Sequence, residues 1–141
     1  MKAQDFLRQI KRLDLMIQNK IAEKDRWTQM AFGTSSPMTG ERVQTTRNLS
    51  KMADSVCRYM DLEKEIDACI DSLVDTRNNV IELIEQLNPI EYDVLHKRYV
   101  QYMAFVEIAD THNKTKSWAT TIHGRALRNV QKLLDEREQN G

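Results

Sequence analysis

Apolar residues recur with helical spacing from the start of the chain. Phe6, Ile10, Leu13, Ile17 and Ile21 follow one another at intervals of four, three, four and four. That period places them on one stripe of an amphipathic helix over about 3–31. Arg8, Lys11, Arg12 and Asp14 fall mostly off the stripe. Residues 33–40, Gly-Thr-Ser-Ser-Pro-Met-Thr-Gly, gather turn formers and end it. A second, longer pattern spans about 45–87. Met52, Val56, Tyr59, Ile66, Ile70, Leu73, Val80, Ile84 and Leu87 fit one alternating four-three series, interrupted by Glu63 and Arg77. This heptad-like seam predicts coiled-coil packing. The simplest arrangement folds the first helix back on the second as an antiparallel hairpin. A helix of ~40 residues is about 60 Å long, more than the first helix covers, so the rest of the seam calls for another partner, a second copy in the simplest case.

Leu87-Asn88-Pro89 breaks the pattern. Asn88 suits an N-cap, Pro89 the first helical position and Glu91 the first turn. A helix carrying Val94, Leu95 and Tyr99 therefore starts near 89. A short helix follows with Phe105, Val106, Ile108 and Ala109. Asn113-Lys114-Thr115 reads as a turn in which Asn113 tolerates a left-handed conformation and Thr115 can cap the next helix. That last helix runs over about 116–136 with Ala119, Ile122, Ala126, Val130 and Leu133 on one face. The expected fold is all-α: a long N-terminal helical hairpin or coiled-coil arm over 1–87, then a helix-turn-helix domain over 88–137.

Composition agrees. The 141 residues include four glycines and two prolines, and 30% are charged. Good helix formers dominate. The net charge is zero, but it is unevenly spread. Between Asp54 and Glu85 stand nine acids and three bases, a net of −6, whereas His112 to Leu134 holds five bases and no acid. Residues 2–32 carry seven bases and four acids, a charge that complements the acidic arm. Cys57 and Cys69 are twelve apart with no CxxC pair, which reads as reduced thiols of a cytosolic protein. No signal-like or membrane-length apolar run is visible, so a soluble intracellular protein without membrane partners is expected.

Two short helices, a tight turn and a base-flanked second helix make a helix-turn-helix. The second helix of such a unit enters the major groove and presents its first residues to base edges, while the first crosses the backbone. With Ala119, Ile122 and Ala126 inward, Lys116, Ser117, Trp118, Thr120, Thr121 and Arg125 point outward. Ser117, Thr120 and Thr121 are the candidates for base edges, with Trp118 on a thymine methyl or a sugar. Lys114, Thr115, Lys116, Arg125 and Arg128 are the candidates for phosphates. The competing reading of these bases is a solvated helix face, and that of Trp118 a core or dimer contact. Gly124 lies in mid-helix, where it permits close packing or close approach of DNA. His96, His112 and His123 are too scattered for a metal site. Glu63, Glu65 and Asp67 alternate and read as a solvated acidic face rather than an acid–base pair. No phosphate-binding loop or nucleophile motif occurs, so neither enzyme activity nor a cofactor is expected.

The stretch from Tyr92 to Val100, then Val106-Glu107-Ile108-Ala109, then His123-Gly124-Arg125-Ala126-Leu127, resembles region 4 of sigma factors. Tyr102 stands where such motifs carry glycine, and His112-Asn113 where they carry Leu-Gly. The resemblance implies binding of double-stranded DNA and an ion pair between Arg98 and Glu107. The N-terminal part, with its Ile-x-x-Leu-Asp helix and Gly40-Glu41-Arg42-Val43-Gln44, is similar to small phage proteins related to the ArpU/RinA type of late transcriptional regulators. This implies a phage-encoded, oligomeric regulator, a dimer in the simplest case. Two other readings stay open: a DNA-packaging protein like a small terminase subunit, in which the motif usually precedes the oligomerisation part, and an interaction module that binds RNA polymerase.

Overall fold

The computed structural model describes residues 1–33 and 46–141, and every regular element among them is helical. The elements are α1 (Ala3–Phe32), α2 (Thr46–Ile84), α3 (Pro89–Leu95), which continues into a π-helical turn over His96–Val100, α4 (Phe105–Thr111) and α5 (Lys116–Asn140). The turn expected after residue 33 and the stretch Gly40-Glu41-Arg42-Val43-Gln44 lie outside the described residues. No helix among the described residues is long and apolar enough to cross a membrane.

The chain forms two compact units, residues 14–72 and residues 1–13 with 73–141. In the first, α1 and α2 run antiparallel. Lys20 Nζ pairs with Glu65 Oε1 at 3.2 Å and, further along α1, Lys24 Nζ pairs with Glu63 Oε1 at 3.1 Å. Arg58 joins Glu23 and Glu65, and Phe32 meets Tyr59 edge-on with ring centroids 6.0 Å apart. Glu63 and Glu65 are thus paired rather than merely solvated, and the ammonium groups of Lys24 and Lys20 hold their carboxyls below the usual range. Ile17, Leu62 and Ile66 are buried here. The expected apolar series is only partly followed: Ile21 and Ile70 are each 41% exposed and Met52 44%, while Leu62, off the series, is fully buried. Cys57 and Cys69 are free thiols.

The second unit holds the helix-turn-helix. Its main core gathers Phe6, Leu7 and Ile10 of α1, Val80, Leu83 and Ile84 of α2, Leu95, Tyr99 and Val100 of α3 and the π turn, and Ala126, Val130 and Leu134 of α5. Residues 73–87, assigned to the arm on sequence grounds, therefore share the core of the C-terminal helices, as do the first turns of α1. On α5 it is Leu134 rather than Leu133 that is buried. Polar contacts fasten the same elements. The side chain of Gln131 accepts a hydrogen bond from the Ala3 N–H at 2.8 Å and donates to the Met1 carbonyl at 3.1 Å. It so caps the amino end of α1 from 128 residues away in sequence, satisfying a donor that a helix start leaves unpaired.

Local chemistry sets the boundaries. Asn88, in an extended conformation, accepts from the Glu91 N–H at 2.9 Å, and Pro89 opens α3. Asn113 has φ of 56°, the left-handed turn expected of it. Tyr102 has φ of 59°, at the position where the sigma-type motif carries glycine. The backbone thus keeps the left-handed turn although the residue there bears a Cβ, a conformation that costs roughly 1–2 kcal/mol for such a residue.

Candidate nucleic-acid interface

The candidate interface is α5 with the turn before it. Thr115 is extended, and its hydroxyl oxygen accepts from the Trp118 N–H at 3.2 Å. The hydroxyl proposed for a phosphate is thus first of all the N-cap of α5. Ala119, Ile122, Ala126, Val130 and Leu134 are buried, at spacings of three, four, four and four. The opposite face carries Lys116, Ser117, Thr120, Thr121, Arg125, Arg128 and Lys132, all exposed, with Lys114 exposed in the turn. None of the five bases forms an ion pair with a carboxylate among the described residues. Their charge is therefore uncompensated locally, which favours a polyanion. Thr120 and Thr121 both donate to the Ser117 carbonyl, at 3.0 and 2.9 Å. With their protons engaged there, the exposed hydroxyl oxygens are left as acceptors, suited to an exocyclic amine on a base edge.

Trp118 departs from the expected arrangement. Its ring packs against the small core formed by Val94, Ile108 and Ile122, beside Met103 and Phe105. It also lies against His112, with centroids 5.0 Å apart. It stands one turn before Ile122 and shares that residue's face, which is why its half-buried ring reaches this core. The four-residue spacing to Ile122 was the available signal.

Gly124 offers open space. A Cβ built on it meets no atom within 4 Å, so close helix packing does not require glycine here. Its other expected use, room for an approaching ligand, is compatible with that space.

A part-buried polar frame links α3, the π turn, the end of α4 and α5. Glu91, 2% exposed, accepts from Asn88 Nδ2 at 2.8 Å and from Asn129 Nδ2 at 2.6 Å, so α3 is tied to α5. Asp93 receives Lys97 Nζ on one oxygen and His112 Nε2 on the other. Burial works against its charge, yet the bonds from Lys97 and His112 hold its carboxyl below the usual range. The Tyr99 hydroxyl and His123 Nε2 share a hydrogen bond of 2.7 Å, and the two rings stack. Burial, helped by the charges of Arg98 and Arg8, pushes His123 down to about 4, so it is neutral near pH 7. Arg98 does not take the expected partner. Its guanidinium donates to the Met103 carbonyl at 3.1 Å and lies 4.2 Å from the centre of the Phe105 ring. Glu107 instead accepts from the Ala104 N–H at 3.4 Å and steadies the start of α4. The long Arg98 side chain closes the loop before α4, a role of the same structural kind with different partners. Sequence reading gave no sign of the Glu91–Asn129 or Tyr99–His123 pairs.

Residues 83–132 match the family model described as Sigma-70, region 4. The match covers the end of α2, α3, the π turn, α4 and most of α5, and it points to a DNA-binding regulatory role and to RNA polymerase as a possible partner. No curated protein and no solved structure matches the chain.

Proposed function

We propose that this chain is a sequence-specific regulator of transcription that lays α5 in the major groove of double-stranded DNA. One observation carries the reading: an exposed, acid-free face of bases and hydroxyls begins at the capped amino end of α5. Ser117, Thr120 and Thr121 read base edges. Lys114, Lys116, Arg125 and Arg128 grip phosphates on either side. Thr115 and Trp118 act at one remove, by capping and seating the helix. The protein is a binding protein and not an enzyme. The resemblance of the N-terminal part to ArpU/RinA-type proteins, carried by residues such as its Ile-x-x-Leu-Asp helix, supports phage late genes as the target and the host cytoplasm as the place of action.

Self-association goes with this function. Leu15, Met16, Leu49, Met52, Met60 and Ile70 are all exposed large apolar residues of the unit formed by residues 14–72. Such surface supports a homodimer, and it equally favours a contact with RNA polymerase. Light scattering separates the two, since a dimer alone in solution has twice the mass of the chain. Selection from a random duplex library tests the main claim. The expected result is a consensus whose binding drops at least tenfold in Lys116→Glu/Arg125→Glu. Recovery of unenriched sequence would overturn it.

A further inference from the structure

A second basic feature lies outside the α5 face. A cavity of about 240 Å³ is lined by Arg8 and Lys11 of α1, Arg98 and Tyr99 of the π turn, and Tyr102 of the loop that follows. Arg8 and Lys11 are three residues apart and so neighbours on one helix face. The lining holds three cations and no carboxylate. None of the three forms an ion pair among the described residues. Lys11 Nζ sits 5.7 Å from the centre of the Tyr102 ring, and Arg98 is immobilised by the Met103 carbonyl and Phe105. Tyr102 reaches the cavity from a left-handed backbone. A bulky residue keeps that conformation only where its surroundings hold it. Gathering like charges beside an apolar core is unfavourable by itself, and an anion in the cavity offsets it.

We propose that this cavity is a binding site for a single phosphate group, held by the Arg8 and Arg98 guanidinium groups and the Lys11 ammonium. Guanidinium forks match the oxygens of phosphate, and an ammonium adds a mobile point charge. The size sets the ligand class. About 240 Å³ lies below the roughly 300–1,000 Å³ of sites that enclose a drug-sized ligand. It accommodates one phosphate group with a few waters and excludes a whole enclosed nucleotide. The phosphate comes either from solution or from a nucleic-acid backbone. In the second case the site extends the proposed DNA interface and rests on that reading.

The experiment uses the full chain, as wild type, Arg8→Ala/Lys11→Ala, and Lys116→Glu/Arg125→Glu. Circular dichroism checks that each is folded. Sodium phosphate is titrated against sodium chloride at matched ionic strength, with the amide and arginine resonances of residues 98–102 as the readout. In parallel, the salt dependence of binding to a duplex is measured. Saturable phosphate shifts in wild type and in Lys116→Glu/Arg125→Glu, at least tenfold weaker in Arg8→Ala/Lys11→Ala, identify free phosphate. Without such shifts, a duplex salt slope reduced by about 1 in Arg8→Ala/Lys11→Ala identifies a backbone phosphate, one contact contributing about 0.9. Phosphate indistinguishable from chloride, together with an unchanged slope, overturns the proposal. If wild type binds no duplex, the proposed regulatory function falls and the phosphate titration alone decides the cavity.

Discussion

Removing the Glu91 carboxylate should loosen α3 from α5 and cost the fold about 3 kcal/mol. Both its oxygens accept from amides, Asn88 at 2.8 Å and Asn129 at 2.6 Å, and the side chain is buried. A hydrogen bond to a charged group contributes roughly 1.5–3 kcal/mol. Asn88 is exposed, so its amide regains water in Glu91→Ala and that bond is largely replaced. Asn129 is half-buried and regains less. The Asn88 cap on the Glu91 N–H survives, because it uses the Asn88 carbonyl oxygen. Asn129→Ala alone should cost about 2 kcal/mol, and the double variant about 1.5 kcal/mol less than the sum of the singles. For a chain of this size, 1 kcal/mol shifts Tm by roughly 2–4 °C, so Glu91→Ala should melt about 10 °C early. Urea denaturation of the four proteins measures the cycle. Additivity within about 0.3 kcal/mol would show that the carboxylate and the Asn129 amide do not interact.

Other outcomes follow from the same contacts. Thr115→Ala should destabilise by about 1 kcal/mol through loss of the α5 N-cap, with Thr115→Ser restoring it, as read by thermal melts. Gly124→Ala should stabilise by up to ~1 kcal/mol, since the added methyl meets open space and helix propensity improves; weaker duplex binding in that more stable variant would show that glycine serves DNA approach. Acid should weaken the fold through His123. Its folded pKa, about 4, lies below the ordinary 6.5. The folded chain therefore binds the proton less readily than the unfolded one, and the stability tied to the neutral ring is full above pH 6.5 and lost as pH falls toward 4. With discount for the solvent that reaches a partly exposed ring, the loss is about 1–2 kcal/mol, and His123→Gln should flatten that part of the stability–pH curve.

The legibility of this chain divides by the range of the contacts. Asn88-Pro89, Asn113 and Thr115 act within three residues of themselves, so their caps and turns could be read directly. The five helices were placed to within a few residues because each buries one stripe. Trp118, four residues before Ile122, packs on the small core, which is the core contact its spacing allows. The series along α2 was only partly right, because that helix buries Leu62 and Ile66 in one unit and Val80, Leu83 and Ile84 in the core of the other. The buried face changes with the partner. Gln131 capping Ala3 and Asn129 reaching Glu91 are contacts between residues far apart in sequence, and no local pattern announces them. Arg98 shows a different limit. A long flexible cation has several partners within reach, and the Met103 carbonyl and the Phe105 face prevailed over Glu107.

The central claim, that the exposed face of α5 binds duplex DNA through its bases, meets its most direct test in the salt dependence of binding. Fluorescence anisotropy with a labelled duplex, from about 50 to 300 mM salt, should give a linear fall of log affinity with log salt. Four or five phosphate contacts from Lys114, Lys116, Arg125, Arg128 and Lys132 correspond to a slope of about −4. Lys116→Glu/Arg125→Glu should reduce that slope by about 2 and weaken binding at every salt concentration. No binding at the lowest salt, or an affinity and slope untouched by the charge reversal, would contradict the account.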